Sequence, residues 1–208
     1  MSKDRPEFYL VGNHLAVDFA NTIRTADAGQ EALTGWPELV YFIEEKGVIA
    51  KTKVRSLLDL EASVPQECSR TFEAALVLRG AIGTALGHIA NRQAPPEECG
   101  EPLNSLLRLT EGYDQLVAGE RGWTMQFVQR ERRLEWLLAA IARAGAELMV
   151  EGPGAPVRKC ANPQCVLYFY DTSRTGRRRW CSMAVCGNRS KVAAFSRRNK
   201  RVRGARPA

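Results

Sequence analysis

A chain of 208 residues with 45% hydrophobic content can bury a sizeable core, as one domain or as one domain with a small appendage. No run of about 18 uncharged apolar residues occurs and the N-terminus has no apolar stretch of signal-peptide length, so the sequence argues against a membrane partner and predicts a cytoplasmic protein. The net charge of +7 is unevenly distributed. Residues 158–208 contain 14 Lys and Arg and one Asp, which gives a net charge of +13. Residues 1–157 contain 16 Lys and Arg and 22 Asp and Glu, which gives a net charge of −6.

The division of charge predicts a basic module for a polyanion, joined to a body that does not bind one. A solubilising basic tail is the alternative interpretation.

The body reads as mainly helical, with one or two short strands. An apolar opening run at 8–12 predicts a strand and turn, and Leu15, Phe19 and Ile23 then recur at four-residue spacing, which is typical of a helix. The clearest helix is expected to bury Phe72, Leu76, Ile82, Leu86 and Ile89. Apolar spacing and Gly/Pro breaks predict further elements: a strand over 122–128, and helices over 37–46, 52–62, 66–91, 97–110 and 129–150.

A Gly/Pro-rich stretch separates the body from the basic part. We expect a helical domain over 1–150, a linker over 151–157, a metal-binding module over 158–202 and a disordered basic tail over 203–208.

Four of the six cysteines form two C-x4-C pairs that are separated by fifteen residues: Cys160, Cys165, Cys181 and Cys186. This pattern predicts that both pairs converge on one Zn²⁺ ion, with four-cysteine iron–sulfur ligation as the less fitting alternative. Four thiolates leave no open position for water or substrate, so the predicted zinc is structural rather than catalytic. Cys68 and Cys99 are interpreted as ordinary thiols.

The residues around these cysteines predict a treble-clef-like zinc finger. An apolar run at 166–170 and the segment 177–181 are expected to pair as a β-hairpin, and a basic helix with Val192 and Phe195 on its apolar stripe follows Cys186. Its basic side chains are the candidate nucleic-acid contacts. They are Arg177, Arg178, Arg179, Arg189, Lys191, Arg197, Arg198, Lys200 and Arg201.

The string Cys186-Gly187-Asn188-Arg189, with the flanking residues 178–183 and 190–191, resembles the CGNR zinc-finger family. The stretch Leu15-Ala-Val-Asp-Phe-Ala-Asn-Thr22 is similar to the opening of the ABATE domain that usually precedes this finger. The resemblance implies a bacterial, stress-responsive transcription regulator that binds DNA through the finger. We expect an inward cap or turn role for Asn188 and a phosphate contact for Arg189.

Two other functions stay open from the sequence alone. A four-cysteine finger with a basic tail also suits an RNA- or ribosome-associated module. An enzyme is the other alternative, but no nucleophile–base pair, phosphate loop or carboxylate/His cluster is found in the body, so the prediction is a non-enzyme. His14, Asp18 and Asn21 are the candidate polar or ligand site, and a small-molecule effector and a homodimer are further expected partners.

Overall fold

The structure is a computed structural model, and it describes residues 5–23, 31–119, 122–129, 133–193 and 195–196. Helices dominate the described body, which confirms the mainly α prediction. They are α1 (Leu15–Ala20), α2 (Trp36–Glu45), α3 (Val54–Ser63), α4 (Pro65–Ala90), α5 (Gly100–Leu107) and α6 (Ala139–Glu151). The strands are β1 (Gly112–Gly119), β2 (Gly122–Gln129), β3 (Val157–Lys159) and β4 (Tyr168–Tyr170).

Helix α4 is the centre of the body, and all five other helices pack against it. It begins at Pro65, where a missing N–H costs nothing, and it ends at Ala90, shortly before two prolines. Its buried side chains recur at three- and four-residue steps: Cys68, Thr71, Ala75, Leu78, Ile82, Ala85, Leu86 and Ile89. Of the five residues predicted to form this face, Phe72 and Leu76 lie at its half-buried margin instead.

The predicted helix over 129–150 is wrong in its first third. Strand β2 continues to Gln129, a 3₁₀ turn follows at Leu134–Leu138, and α6 begins only at Ala139. β2 pairs antiparallel with β1 along its whole length, from Gly112↔Gln129 to Gly119↔Gly122. Ladder hydrogen bonds to β1, a strand that the sequence analysis did not assign, therefore hold Gln129 in the sheet, and the leucines at 134, 137 and 138 lie in the 3₁₀ turn before α6.

The predicted opening strand is also wrong. Phe8 makes only an isolated bridge, and the next residues bond back on themselves, with the Leu10 N–H donating to Phe8 O at 3.2 Å and the Val11 N–H to Tyr9 O at 3.1 Å. A backbone that folds back at every second residue has no row of free groups for a partner strand.

In the basic module the hairpin is confirmed, but its pairing differs from the prediction. Strand β4 pairs with β3, from Val157↔Tyr170 to Lys159↔Tyr168, and not with 177–181. The backbone of 177–181 bonds elsewhere, since the Arg178 N–H donates to Asp171 at 3.0 Å and Arg179 O accepts from Ala161 N at 2.8 Å.

The segment predicted as a linker is packed rather than extended. Helix α6 runs to Glu151, a 3₁₀ turn occupies Gly152–Gly154, and both Ala155 and Val157 are buried in the core of the body. The Arg92 guanidinium bonds the carbonyls of Pro153 at 2.7 Å and Ala155 at 3.0 Å. The two-domain division itself stays a prediction.

Among the described residues, every helix is too short or too polar to traverse a lipid bilayer.

Candidate metal centre and its contacts with the body

The first cysteine pair lies on the loop that connects β3 to β4. The Cys160 N–H donates to Leu167 O at 2.9 Å and the Cys165 N–H to Asn162 O at 2.9 Å, which folds residues 160–165 into a tight turn with both thiols on its inner side. The second pair comes from the residues that begin the C-terminal helix. This helix starts with a π-helical turn, Met183–Gly187, and continues through 188–193 and 195–196.

The four cysteines meet at one point. All four Sγ atoms lie within 4.8 Å of one another, with 3.8 Å between those of Cys165 and Cys181 and 3.6 Å between those of Cys181 and Cys186. A tetrahedral Zn²⁺ with Zn–S bonds of about 2.3 Å has S–S edges of about 3.8 Å. The residues present therefore fit a structural zinc ion, as predicted.

Each pair also receives a hydrogen bond from the opposite half of the site. The Cys181 N–H points at Cys160 Sγ at 3.4 Å, and Asn162 Nδ2 points at Cys186 Sγ at 3.4 Å. Donors of this kind stabilise thiolates and hold metal ligands in place.

The four thiols influence one another's protonation. Burial raises the pKa of Cys160, whereas a hydrogen bond from Cys181 lowers the pKa of Cys165 to about 5 and raises the pKa of Cys181. Four thiolates at this spacing repel one another, so a divalent cation at their centre is needed for all of them to be deprotonated together.

The other two cysteines are separate from this centre. Cys68 is 1% exposed and Cys99 is 2% exposed in the helical body, and burial raises the pKa of both thiols. Neither belongs to a cluster of possible metal ligands among the described residues. They are thus inert packing residues.

Asp171, the one acid of the basic module, is buried and organises the loop before Cys181. It accepts hydrogen bonds from the Ser173 N–H at 3.0 Å, the Ser173 hydroxyl at 2.6 Å and the Arg178 N–H at 3.0 Å. Its carboxylate also lies 3.2 Å from Arg158 Nε. Although burial raises the pKa of Asp171, these donors and the Arg158 charge lower it further, so the group is an anion at neutral pH.

Replacing Asp171 with alanine is expected to destabilise the module by about 2–3 kcal/mol, because buried donors lose a charged acceptor. Chemical denaturation of the zinc-loaded protein measures the change. Glu61→Ala, which removes an exposed acid from α3, is the control and should stay within about 0.5 kcal/mol of wild type. Equal effects of the two substitutions would contradict the role of Asp171.

Arg178, a predicted nucleic-acid contact, has its guanidinium group engaged inside the molecule. It stacks over the Phe169 ring at 4.3 Å and bonds Trp180 O at 2.9 Å, Val11 O at 3.0 Å and Cys181 O. We therefore assign Arg178 to holding the metal site against the N-terminal segment. With its guanidinium group engaged in this way, it is not among the phosphate contacts that we propose.

The three residues of the candidate polar site lie together at the junction of α1 and the finger. Asp18 is 2% exposed and accepts from the Gly12 N–H at 2.7 Å and from Lys46 Nζ at 2.7 Å. Asn21 pairs with the backbone of Tyr168 in both directions, donating to its carbonyl at 2.9 Å and accepting from its N–H at 3.0 Å. Asp18 thus holds the N-terminal segment and the end of α2 against α1, and Asn21 holds β4 against α1.

His14 stacks on a residue of the finger. Its ring lies 5.4 Å from that of Tyr170 at an angle of 22°. Burial lowers the pKa of His14 by more than the nearby carboxylates of Glu151 and Glu147 raise it. A neutral imidazole stacked on a phenol ring is a packing contact.

The sequence analysis missed the contribution of the N-terminal segment to the finger. Tyr9 and Val11 pack against the cluster that contains the four cysteines, and Gly12 O accepts from the Tyr170 N–H at 2.8 Å. A Cβ at Gly12 would lie 2.8 Å from Asp18 N, so only glycine fits this close approach. The apolar run at 8–11 was a signal for burial, but it did not indicate the partner.

The exposed basic side chains lie on one loop and on the C-terminal helix. Arg177, Arg179, Arg189 and Lys191 are exposed. The predicted contacts Arg197, Arg198, Lys200 and Arg201 lie outside the described residues.

The predicted inward face of the C-terminal helix is wrong. Val192 is 64% exposed and Phe195 is 59% exposed, and Asn188 is exposed and donates to Ala184 O at 3.0 Å. Asn188 therefore does have a local turn role, but the apolar stripe of the helix is not buried against the part of the finger that the structure describes.

Two family models match this chain. The ABATE model, described as a putative stress-induced transcription regulator, matches residues 13–152, and the CGNR zinc-finger model matches residues 157–199. Both descriptions are of regulator or zinc-finger type and neither names an enzyme. No curated protein matches the sequence significantly.

Proposed function

The chain belongs to the ABATE family and carries a CGNR zinc finger, and on this basis we propose that it is a DNA-binding transcription regulator of bacterial type. In this proposal the zinc ion folds the finger, the C-terminal helix contacts duplex DNA, and the helical body is regulatory. No catalytic step is included.

The observation that carries the proposal is the exposure of the C-terminal helix. From Asn188 onward its described side chains are exposed or half-exposed, and Arg189 and Lys191 follow its opening π-helical turn. A basic helix whose side chains from Asn188 onward are not buried by the described part of the chain has the width that the major groove of B-DNA admits.

Charge supports the same assignment. Residues 158–208 contain 14 Lys and Arg and a single acid, Asp171, which is 6% exposed and already bonded within the finger. No other carboxylate side chain of the module opposes an approaching phosphate.

The role of the body is the remaining part of the proposal. Its helices surround α4 and contact the finger through α1, so an effector bound to the body has a physical route to the finger. A small-molecule effector and a homodimer stay predictions.

The test replaces two exposed cations of the helix. Arg189→Gln with Lys191→Gln should weaken binding to duplex DNA and reduce the slope of log K against log salt by about 0.9 for each lost phosphate contact. Fluorescence anisotropy over a salt series gives both quantities. The control, Lys51→Gln with Lys53→Gln, removes the same charge from an exposed 3₁₀ turn of the body and should leave the slope unchanged.

Competition identifies the nucleic acid. Binding that survives excess tRNA supports the DNA proposal, whereas equal competition by tRNA favours the RNA- or ribosome-associated alternative. An unchanged salt slope in the helix variant would remove Arg189 and Lys191 from the interface.

A further inference from the structure

An open groove lies beside the metal site, on the face formed by the loop before Cys181 and the first turn of the C-terminal helix. Its volume is about 480 Å³, and it is lined by Arg177, Arg178, Arg179, Trp180, Ser182 and Met183. Among the residues that the structure describes, the lining contains three guanidinium groups, one indole, one thioether and one hydroxyl, with no carboxylate.

The apolar part of the lining occupies space that is left free by a glycine. A Cβ at Gly187 would lie 3.3 Å from Trp180 Cδ1 and still closer to Met183 Sδ, so the missing side chain lets the indole and the thioether lie over the backbone together. This explains in physical terms why glycine suits the second position of the CGNR string. The result is an apolar surface next to a strongly positive loop.

The charged part of the lining adjoins that surface. The Arg179 guanidinium lies 5.1 Å from the centre of the Trp180 ring, Arg177 is exposed, and Arg178 is fixed by three backbone carbonyls. Cations beside an aromatic ring, with no acid between them, match a ligand that has an anionic group attached to a flat, apolar-faced ring.

We propose that this groove binds one nucleotide unit, with its phosphate on Arg177 and Arg179 and its base against Trp180 and Met183. The proposal deepens the proposed function and rests on it where the unit belongs to DNA. The same chemistry is present in an unpaired nucleotide of a DNA strand and in a free nucleotide. It is absent from the interior of a fully paired duplex, whose base faces are stacked.

The test uses the full zinc-loaded chain and three DNA probes of one sequence. They are a fully paired duplex, the duplex with one unpaired adenosine, and the duplex with an abasic residue at that position. We expect the unpaired base to tighten binding by about tenfold over the abasic residue, the scale of one base–aromatic stack. Equal affinity for these two probes would overturn the assignment of Trp180 and Met183 to the base.

A matched pair of variants tests the phosphate contact. Arg179→Gln should weaken binding of the unpaired-base probe by about tenfold more than Arg174→Gln, which removes the same charge from an exposed position of the same loop outside the groove. Zinc content must be equal in both proteins. Equal losses would show that only overall charge matters, and the proposal would fall.

Adenosine monophosphate identifies the source of the unit. Displacement of the unpaired-base probe by millimolar nucleotide would assign the groove to a free nucleotide, and lack of displacement would assign it to a DNA strand.

The proposed function and the groove fail separately in this design. If the paired duplex binds normally and no groove variant differs from Arg174→Gln, the groove is excluded and the regulator proposal stands. If the paired duplex does not bind but the nucleotide does, the groove proposal stands and the regulator proposal is excluded.

Discussion

Replacing Cys181 with serine is expected to release zinc and to unfold residues 157–190. A serine hydroxyl stays protonated at neutral pH and cannot replace the thiolate ligand, so the remaining three cysteines bind the ion far less tightly. Structural zinc in small fingers provides an apparent binding free energy of about 10–16 kcal/mol, which is folding free energy for a module of this size. The effect should therefore be loss of the finger fold.

The same substitution should also loosen the beginning of the body. Tyr9 and Val11 pack on the cysteine cluster, Gly12 O accepts from the Tyr170 N–H, and Val11 O accepts from the Arg178 guanidinium. When the finger unfolds, these groups lose their partners. Helices α2 to α5 share the large core around α4 and are expected to keep their protection.

Hydrogen exchange followed by mass spectrometry measures both parts of this result, with zinc per chain determined alongside. Cys99→Ala is the control, because Cys99 is equally buried but lies in the body, apart from the metal centre. It should retain one zinc and normal exchange in residues 8–23. Full zinc content in Cys181→Ser, or unchanged exchange of residues 8–23, would contradict the coupling.

The metal ligands were predictable because their signal is local. Two C-x4-C pairs at a fitting separation determine the ligand set whatever the rest of the fold does, and the structure brings those four thiols within 4.8 Å. The long helix α4 was predictable for the same reason, since the regular spacing of Ile82, Leu86 and Ile89 lies in one continuous segment.

The pairing of β4 was not predictable in this way. Val157 precedes the first cysteine and lay in a segment that Gly and Pro mark as a linker, yet it pairs with Tyr170 and is buried in the body. The competing segment, 177–181, was predicted as a strand, but the Asp171 carboxylate accepts a hydrogen bond from its Arg178 N–H. Backbone groups of 177–181 are thus bonded to a buried acid and to Ala161, contacts between distant residues that strand propensity does not register.

The junction between α1 and the finger could not be predicted from the sequence, because its partners are far apart along the chain. Asn21 and Tyr168 are separated by 147 residues, and they meet through two hydrogen bonds between the Asn21 side-chain amide and the Tyr168 backbone. His14, Asp18 and Asn21 were interpreted as a possible polar or ligand site, because a side chain that bonds a strand edge and one that binds a ligand have the same appearance in a sequence.

Asp18 holds the N-terminal segment that contacts the finger. Its buried carboxylate holds the Gly12 N–H and the Lys46 ammonium group, and the chain between Tyr9 and Gly12 contacts the finger. Asp18→Ala should destabilise the protein by about 3–5 kcal/mol, because it leaves a largely buried cation and a buried N–H without their acceptor. Asp59→Ala removes an exposed carboxylate paired with Arg55 and should cost at most about 1 kcal/mol.

Asp18→Asn separates the two functions of the carboxylate. The amide oxygen can still accept from Gly12, while the charge that faces Lys46 is lost, so an intermediate loss of stability is expected. Thermal denaturation of the zinc-loaded variants, with hydrogen exchange of residues 8–23, gives the stability and the location of the change. If Asp18→Ala matched Asp59→Ala in stability, the carboxylate would not be what holds the N-terminal segment. If it lowered stability without increasing exchange in residues 8–23, the loss would arise from Lys46 and α2 alone.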